Sequence, residues 1–181
     1  MSGSNTTKKA MADAMKRLMM STPFTKISVG QICDECHMNR KSFYYHFKDK
    51  QDLVNWIFQS EFISAVQEHS YESGWDFLSD ICDYFYQNRA FYRKALKIEG
   101  QNSFSDYFRE MLEPAIRAYV SERVESGEST DFFVLFLSDT IICAIKRWLM
   151  ERNCMPAEKF IGLLRSCLAG IAQTAAKQEE K

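Results

Sequence analysis

Apolar residues along this chain recur at spacings of three and four, the period of one face of an α-helix, and no segment alternates convincingly at period two. Only seven glycines and three prolines interrupt the 181 residues. The pattern predicts an all-α protein of about nine helices. The first should run from about residue 6 to residue 21, with Ala10, Met11, Ala14, Met15, Leu18 and Met19 opposite Lys9, Asp13, Lys16 and Arg17. Pro23 disfavours helical geometry at Thr22 and ends it. Ser28-Val29-Gly30-Gln31 has the form of a capping box, Ser28 being the N-cap and Gln31 following three residues later. The short helix it opens carries Val29, Ile32, Cys33 and Cys36 on one side. His37-Met38 makes the break. Asn39 is suited to cap a second short helix, Arg40 to about His46, and Asp49 a long one running to about His69.

Beyond it, amphipathic helices are expected at about 74–88, 89–99, 104–126, 130–152 and 156–177. Gly74, Gly100, Gly127 and the stretch Asn153–Pro156 mark the joints, with Pro156 at a favoured first-turn position. Pro114 should kink or split its helix, and the tail from Lys177 should fray. The last two helices are unusually apolar. Phe132, Phe133, Leu135, Phe136, Leu137, Ile141, Ile142, Ile145, Trp148 and Leu149 nearly encircle the first, and Phe160, Ile161, Leu163, Leu164, Leu168 and Ile171 give the second a broad face. Such helices need cover, and a symmetric four-helix contact with a second copy would supply it.

Charge divides the chain in two. It carries 23 basic and 24 acidic residues in all, but residues 1–50 hold nine Lys/Arg against four Asp/Glu, or +5, leaving 14 against 20, or −6, for the rest. A basic head on an acidic body is expected when one domain alone meets phosphates. Two short helices joined by a tight turn need a third to close a core, and the first helix supplies it. That unit is a helix-turn-helix, whose second short helix enters the major groove. In Asn39-Arg40-Lys41-Ser42-Phe43-Tyr44-Tyr45-His46-Phe47, Phe43 and Phe47 would anchor the helix inward. Arg40, Lys41, Ser42, Tyr44 and Tyr45 would project outward, with at least one tyrosine packing partly inward.

Phe24–Ile32, then Phe43-Tyr44-Tyr45-His46-Phe47-Lys48-Asp49-Lys50 with Leu53, resembles the tetracycline-repressor (TetR/AcrR) family over roughly residues 8–55. The body is similar to that of a subgroup including regulators of dihydroxyacetone-kinase operons. The resemblance implies a TetR-like homodimer, with a DNA-binding domain at 1–50 (motif about 28–47) and an effector-binding and dimerisation domain at 51–181. It implies dimerisation through the helices at about 130–152 and 156–177. It further implies contact with bases or phosphates by Asn39, Arg40 and Lys41, and contact with the groove wall and phosphates by Tyr44, Tyr45 and His46. Lys50 matches a phosphate-contacting lysine, and Ser28 a polar contact. His46 reads equally as a simple helix cap. Where many members have glycine this chain has His37 and Lys41: His37 is expected in left-handed geometry, which histidine tolerates at some cost, and the added charge of Lys41 means that another member's operator cannot be borrowed. The expected function is an operator-binding transcription regulator, a repressor modulated by a small-molecule effector. The alternative is an activator or adaptor without such a ligand.

Other chemistries find little support. Cys33-Asp34-Glu35-Cys36-His37 spells the c-type haem attachment pattern, but that chemistry needs export, and the polar start leading into Lys8-Lys9 is not expected to be a secretory signal. The cytoplasm is therefore the expected compartment, and the six cysteines are expected to be reduced. Zinc would need two more ligands near the pair, of which His37 is one candidate and no other is apparent; a thiol redox role for Cys33 and Cys36 stays open. No nucleophile–histidine arrangement or phosphate loop is suggested, so no enzyme, metal or cofactor is expected. No stretch is long and apolar enough to span a bilayer.

Overall fold

The computed structural model of the protein describes residues 3–67, 69–121 and 128–179. Every regular element among them is helical. α1 (Gly3–Ser21) leads through a single 3-10 turn (Phe24–Lys26) to α2 (Val29–Glu35) and α3 (Arg40–His46). α4 (Lys50–Phe58), a π turn (Gln59–Ile63) and α5 (Ser64–Val66) follow as one continuous rod. Then come α6 (Gly74–Gln87), α7 (Arg89–Ala95), α8 (Phe104–Ser121), α9 (Glu128–Met150) and α10 (Ala157–Glu179). With the rod counted once, the described residues form nine helices, as the periodicity predicts.

The helix starts are set by side-chain caps. Ser28 Oγ accepts from Gln31 N at 3.2 Å while Gln31 Oε1 accepts from Ser28 N at 2.8 Å, a complete capping box. Asn39 Oδ1 accepts from Ser42 N at 2.8 Å, and Asp49 Oδ1 from Asp52 N at 2.7 Å. Ser73 and Asp76 form a second box at the start of α6. Each satisfies donors that the first turn of a helix leaves unpaired.

Several boundaries differ from the expected ones. α1 begins at Gly3, earlier than its apolar stripe indicates. α7 stops at Ala95, although Leu96 and Ile98 stay buried, because the chain turns through Gly100 (φ 98°) and Asn102 (φ 59°) to reach α8. Pro114 does not split α8. It costs one backbone hydrogen bond, whereas Phe104, Phe108, Leu112, Ile116 and Val120 all bury the same face. Pro156 stands just before α10, its carbonyl accepting from Phe160 N at 3.1 Å. The expected frayed tail is helical as far as Glu179. Gly127 and the side chain of Ile171 lie outside the described residues.

Phe58, fully buried in the rod, is the hub of the body core. Phe62, Phe85, Tyr92, Phe104 and Phe108 surround it with ring centroids at 5.2–6.1 Å. Trp148 of α9 stacks on Phe160 of α10 at 4.4 Å, and its Nε1 donates to Met155 O at 2.8 Å. Two lysines fasten the basic head to this body. Lys94 Nζ donates to the carbonyls of Met19 and Met20 at the end of α1, placing a cation where the helix dipole is negative. Lys16 of α1 pairs with Glu61 in the π turn. Lys94→Met should destabilise the protein by about 1–2 kcal/mol, the partly exposed bonds being worth less than buried ones. Urea unfolding checks this, and Lys94→Arg should recover most of the loss.

Candidate nucleic-acid interface

The second short helix of the head is held by a few buried groups. Phe43 is wholly buried and Phe47 nearly so, their centroids 5.7 Å apart, and Phe47 continues to Trp56 of the rod at 5.8 Å. The preceding turn carries His37 at φ 55°, the left-handed geometry expected of it. Arg17 of α1 pairs with Glu35 of α2 at 2.7 Å and fixes the angle between those helices.

With Phe43 and Phe47 inward, α3 turns its other face to solvent. Arg40, Lys41, Tyr44 and Tyr45 are exposed, Tyr45 to 82% and Tyr44 to 59%. Neither tyrosine packs inward as expected of at least one. Tyr44 sets its ring edge-on to Phe43 at 5.5 Å, and Tyr45 sits edge-on to His46 at 4.9 Å. An edge-to-face contact holds each ring while leaving its hydroxyl in water. His46 and Ser42 are half-buried.

Two caps double as donors. Asn39 gives its Oδ1 to the cap and keeps its amide N–H groups, and Ser28 accepts in its box and keeps its O–H. Lys50 is partly engaged within the fold. Its Nζ donates to Phe24 O at 2.8 Å and Ile27 O at 2.6 Å, and lies 4.4 Å from the Phe24 ring. Burial lowers its pKa. Two of its three N–H donors thus tie α4 to the loop before α2. Arg40 does not simply point outward, because its guanidinium lies across Gly30, where an added Cβ would come within 2.7 Å of Nη2. Gly30 is what allows that approach.

Three further lysines of the head lie outside the expected site. Lys26, in the turn before α2, and Lys48, just after α3, are exposed, and with Arg40 and Lys41 they make no ion pair among the described residues. Lys8 lies 5.7 Å from the Phe47 ring and 5.8 Å from Trp56. The charge count of the head holds their signal, because Asp13 and Glu35 pair with Lys16 and Arg17 and the seven other cations still outnumber the two other acids, Asp34 and Asp49. Cys33 is buried in the head core, while Cys36 donates its Sγ to Ile32 O at 3.1 Å. Burial raises both thiol pKa values, which disfavours the reactive thiolate. No group of His, Cys, Asp and Glu with metal-binding geometry occurs among the described residues.

A capped three-helix unit with an exposed cationic and phenolic second helix defines a DNA-binding transcription regulator of the helix-turn-helix class. Two family models match the chain. One is described as bacterial regulatory proteins, tetR family, over residues 12–57. The other, the C-terminal region of TetR transcriptional regulators, covers residues 72–170, more than half of the chain. The chain belongs to the TetR family. A relative from Lactococcus lactis subsp. lactis, the HTH-type dhaKLM operon transcriptional activator DhaS, is 28% identical over 147 residues, 78% of each chain. Among solved structures, a TetR transcriptional regulator from Streptococcus agalactiae shares the fold with TM-score 0.69 and 24% identity, over 88% of this chain and 92% of that one. The dihydroxyacetone kinase operon activator DhaS does so at TM-score 0.64 and 23% identity, over 93% and 97%. NalD of Pseudomonas aeruginosa, the secondary repressor of the MexAB-OprM multidrug efflux pump, does so at 0.64 and 17%, over 90% and 94%.

Proposed function

We propose that residues 1–50 read a palindromic operator and that residues 51–181 pair two copies and receive an effector. The observation that carries this reading is the outward face of α3, with Arg40, Lys41, Tyr44 and Tyr45 exposed opposite a buried Phe43. A major groove about 12 Å wide admits one such helix. Asn39, Arg40, Lys41 and Ser42, at its N-terminal end, meet base edges or phosphates; Tyr44, Tyr45, His46, Ser28 and the third N–H of Lys50 meet backbone. Lys26 and Lys48 add phosphate contacts at the flanks. Two copies join through α9 and α10. Phe132, Phe133, Leu135 and Phe136 stand exposed on α9, as does Leu163 on α10, and a second copy is the natural cover for them. No described helix is long and apolar enough to cross a membrane, and the DNA it reads is in the cytoplasm.

Repression, relieved or modulated by the effector, is the first reading. Activation is the second, favoured by the DhaS relative, whose name makes that protein an activator. Selection of genomic fragments by the purified protein would yield the operator, whose position relative to the promoter distinguishes the two. On that operator, Tyr44→Ala and Lys41→Ala should each weaken binding about tenfold or more, a base or charged phosphate contact being worth about 1–3 kcal/mol. If Lys41 meets phosphate, its variant also reduces the salt dependence by about one unit of slope. Wild-type affinity in both variants would refute the assignment. Lys50→Ala is a poorer test, because it also releases the loop before α2.

A further inference from the structure

At the end of the body away from α3, a cleft of about 910 Å³ opens between the rod, α6, α8 and α10. Ile63, Val66, Trp75, Phe77, Met111 and Tyr119 give it an apolar and aromatic wall. A small pouch of about 50 Å³, lined by Leu112, Ile116 and Ile141, extends the wall inward. One cation stands in it. The guanidinium of Arg165 lies 5.7 Å from the Trp75 ring and pairs with no carboxylate among the described residues. Its neighbours across the bundle differ, Arg109 being held by Asp139 at 2.7 Å and Arg117 by Asp131 and Glu113.

The acids nearby are accounted for. Asp80 accepts the Tyr71 hydroxyl at 2.8 Å, and burial with that bond raises the Tyr71 pKa to about 12, so the phenol stays neutral. Glu72 is exposed at the rim and forms no salt bridge with Arg165. A guanidinium over an indole is steadied by the ring, and exposed Arg165 keeps donors available to a ligand in the cleft. The lining also holds His69, Glu72 and Gln67, and apolar walls with a few polar and charged groups are the usual make-up of a small-molecule site.

We propose that this cleft binds an amphipathic organic anion, a carboxylate on an aromatic or aliphatic body, with the charge on Arg165 and the body against Trp75, Phe77 and Met111. The proposal rests on the reading of residues 51–181 as an effector-binding unit and names the ligand class of that unit. Ile63 and Val66, which line the cleft, belong to the rod that carries the head. An occupant therefore touches the element whose position sets the aim of α3.

The test is calorimetry on the full chain with three probes of one shape: 2-naphthoate, 2-naphthylmethanol and 2-naphthylmethylammonium. The anion should bind about tenfold or more tighter than the alcohol, as a charge-assisted pair at a partly exposed site provides. Arg165→Gln should erase that preference and leave the alcohol's affinity and operator binding unchanged. Ala118→Phe, which fills the cleft from α8, should weaken all three. Equal affinities, a preference for the ammonium, an anion preference that survives Arg165→Gln, or binding untouched by Ala118→Phe would each overturn the proposal. Arg165-dependent binding of naphthoate with unchanged operator affinity at saturation would uphold the site and overturn the effector reading alone.

Discussion

Phe43→Ala is expected to abolish operator binding while leaving the body folded. Phe43 is wholly buried and touches both Tyr44 and Phe47. Truncating a buried phenylalanine costs about 3–5 kcal/mol, the lost burial and the cavity adding together. A head of three helices, two of them only seven residues long, has little margin against such a loss. Native proteins as a whole are stable by only about 5–15 kcal/mol. Hydrogen exchange would show amides of α2 and α3 losing protection while those of α6, α8 and α9 keep theirs. Full operator affinity in this variant would show that α3 is not positioned through its phenylalanine anchor.

The second large effect concerns pairing. Phe132 and Phe136 are 66% and 48% exposed and stack on each other at 6.4 Å. Phe132→Asp with Phe136→Asp puts two charges on that face without touching the buried residues of α9. Sedimentation should show a monomer, and operator affinity should fall about 10²–10⁴-fold, because the second half-site contact loses its high effective concentration. Helical content should be kept. A variant that remains dimeric would move the interface elsewhere.

Local rules were legible wherever one residue decides a structure. Ser28 with Gln31, Asn39 and Asp49 announced their caps, and His37 the left-handed turn, because each depends on a side chain within three residues of its partner. The buried and exposed faces of α3 followed from the four-residue spacing of Phe43 and Phe47. Features set across the fold were not legible. Nothing near Lys50 in sequence reveals that its ammonium is engaged by carbonyls of residues 24 and 27, or that Arg40 settles over Gly30. Pro114 warned of a break that the packing of α8 overrides. The cleft was hidden for the same reason, its wall drawing on four separate segments, none distinguishable from core by spacing.

The π turn at Gln59–Ile63 is a stretch of slack wound into the rod. It holds one residue more than the α-helical winding would, and a helix advances about 100° per residue. Tyr107 clasps Gln59 at its start and Ser64 closes back on Gln59 O at its end, so the extra residue is pinned in place. The wide turn absorbs that surplus, so deleting Ser60 would leave plain α-helix with both halves of the rod facing much as they do now. The same deletion within α4 has no such slack and would swing the head by roughly a quarter of a revolution, giving paired reading helices bearings that no straight duplex offers.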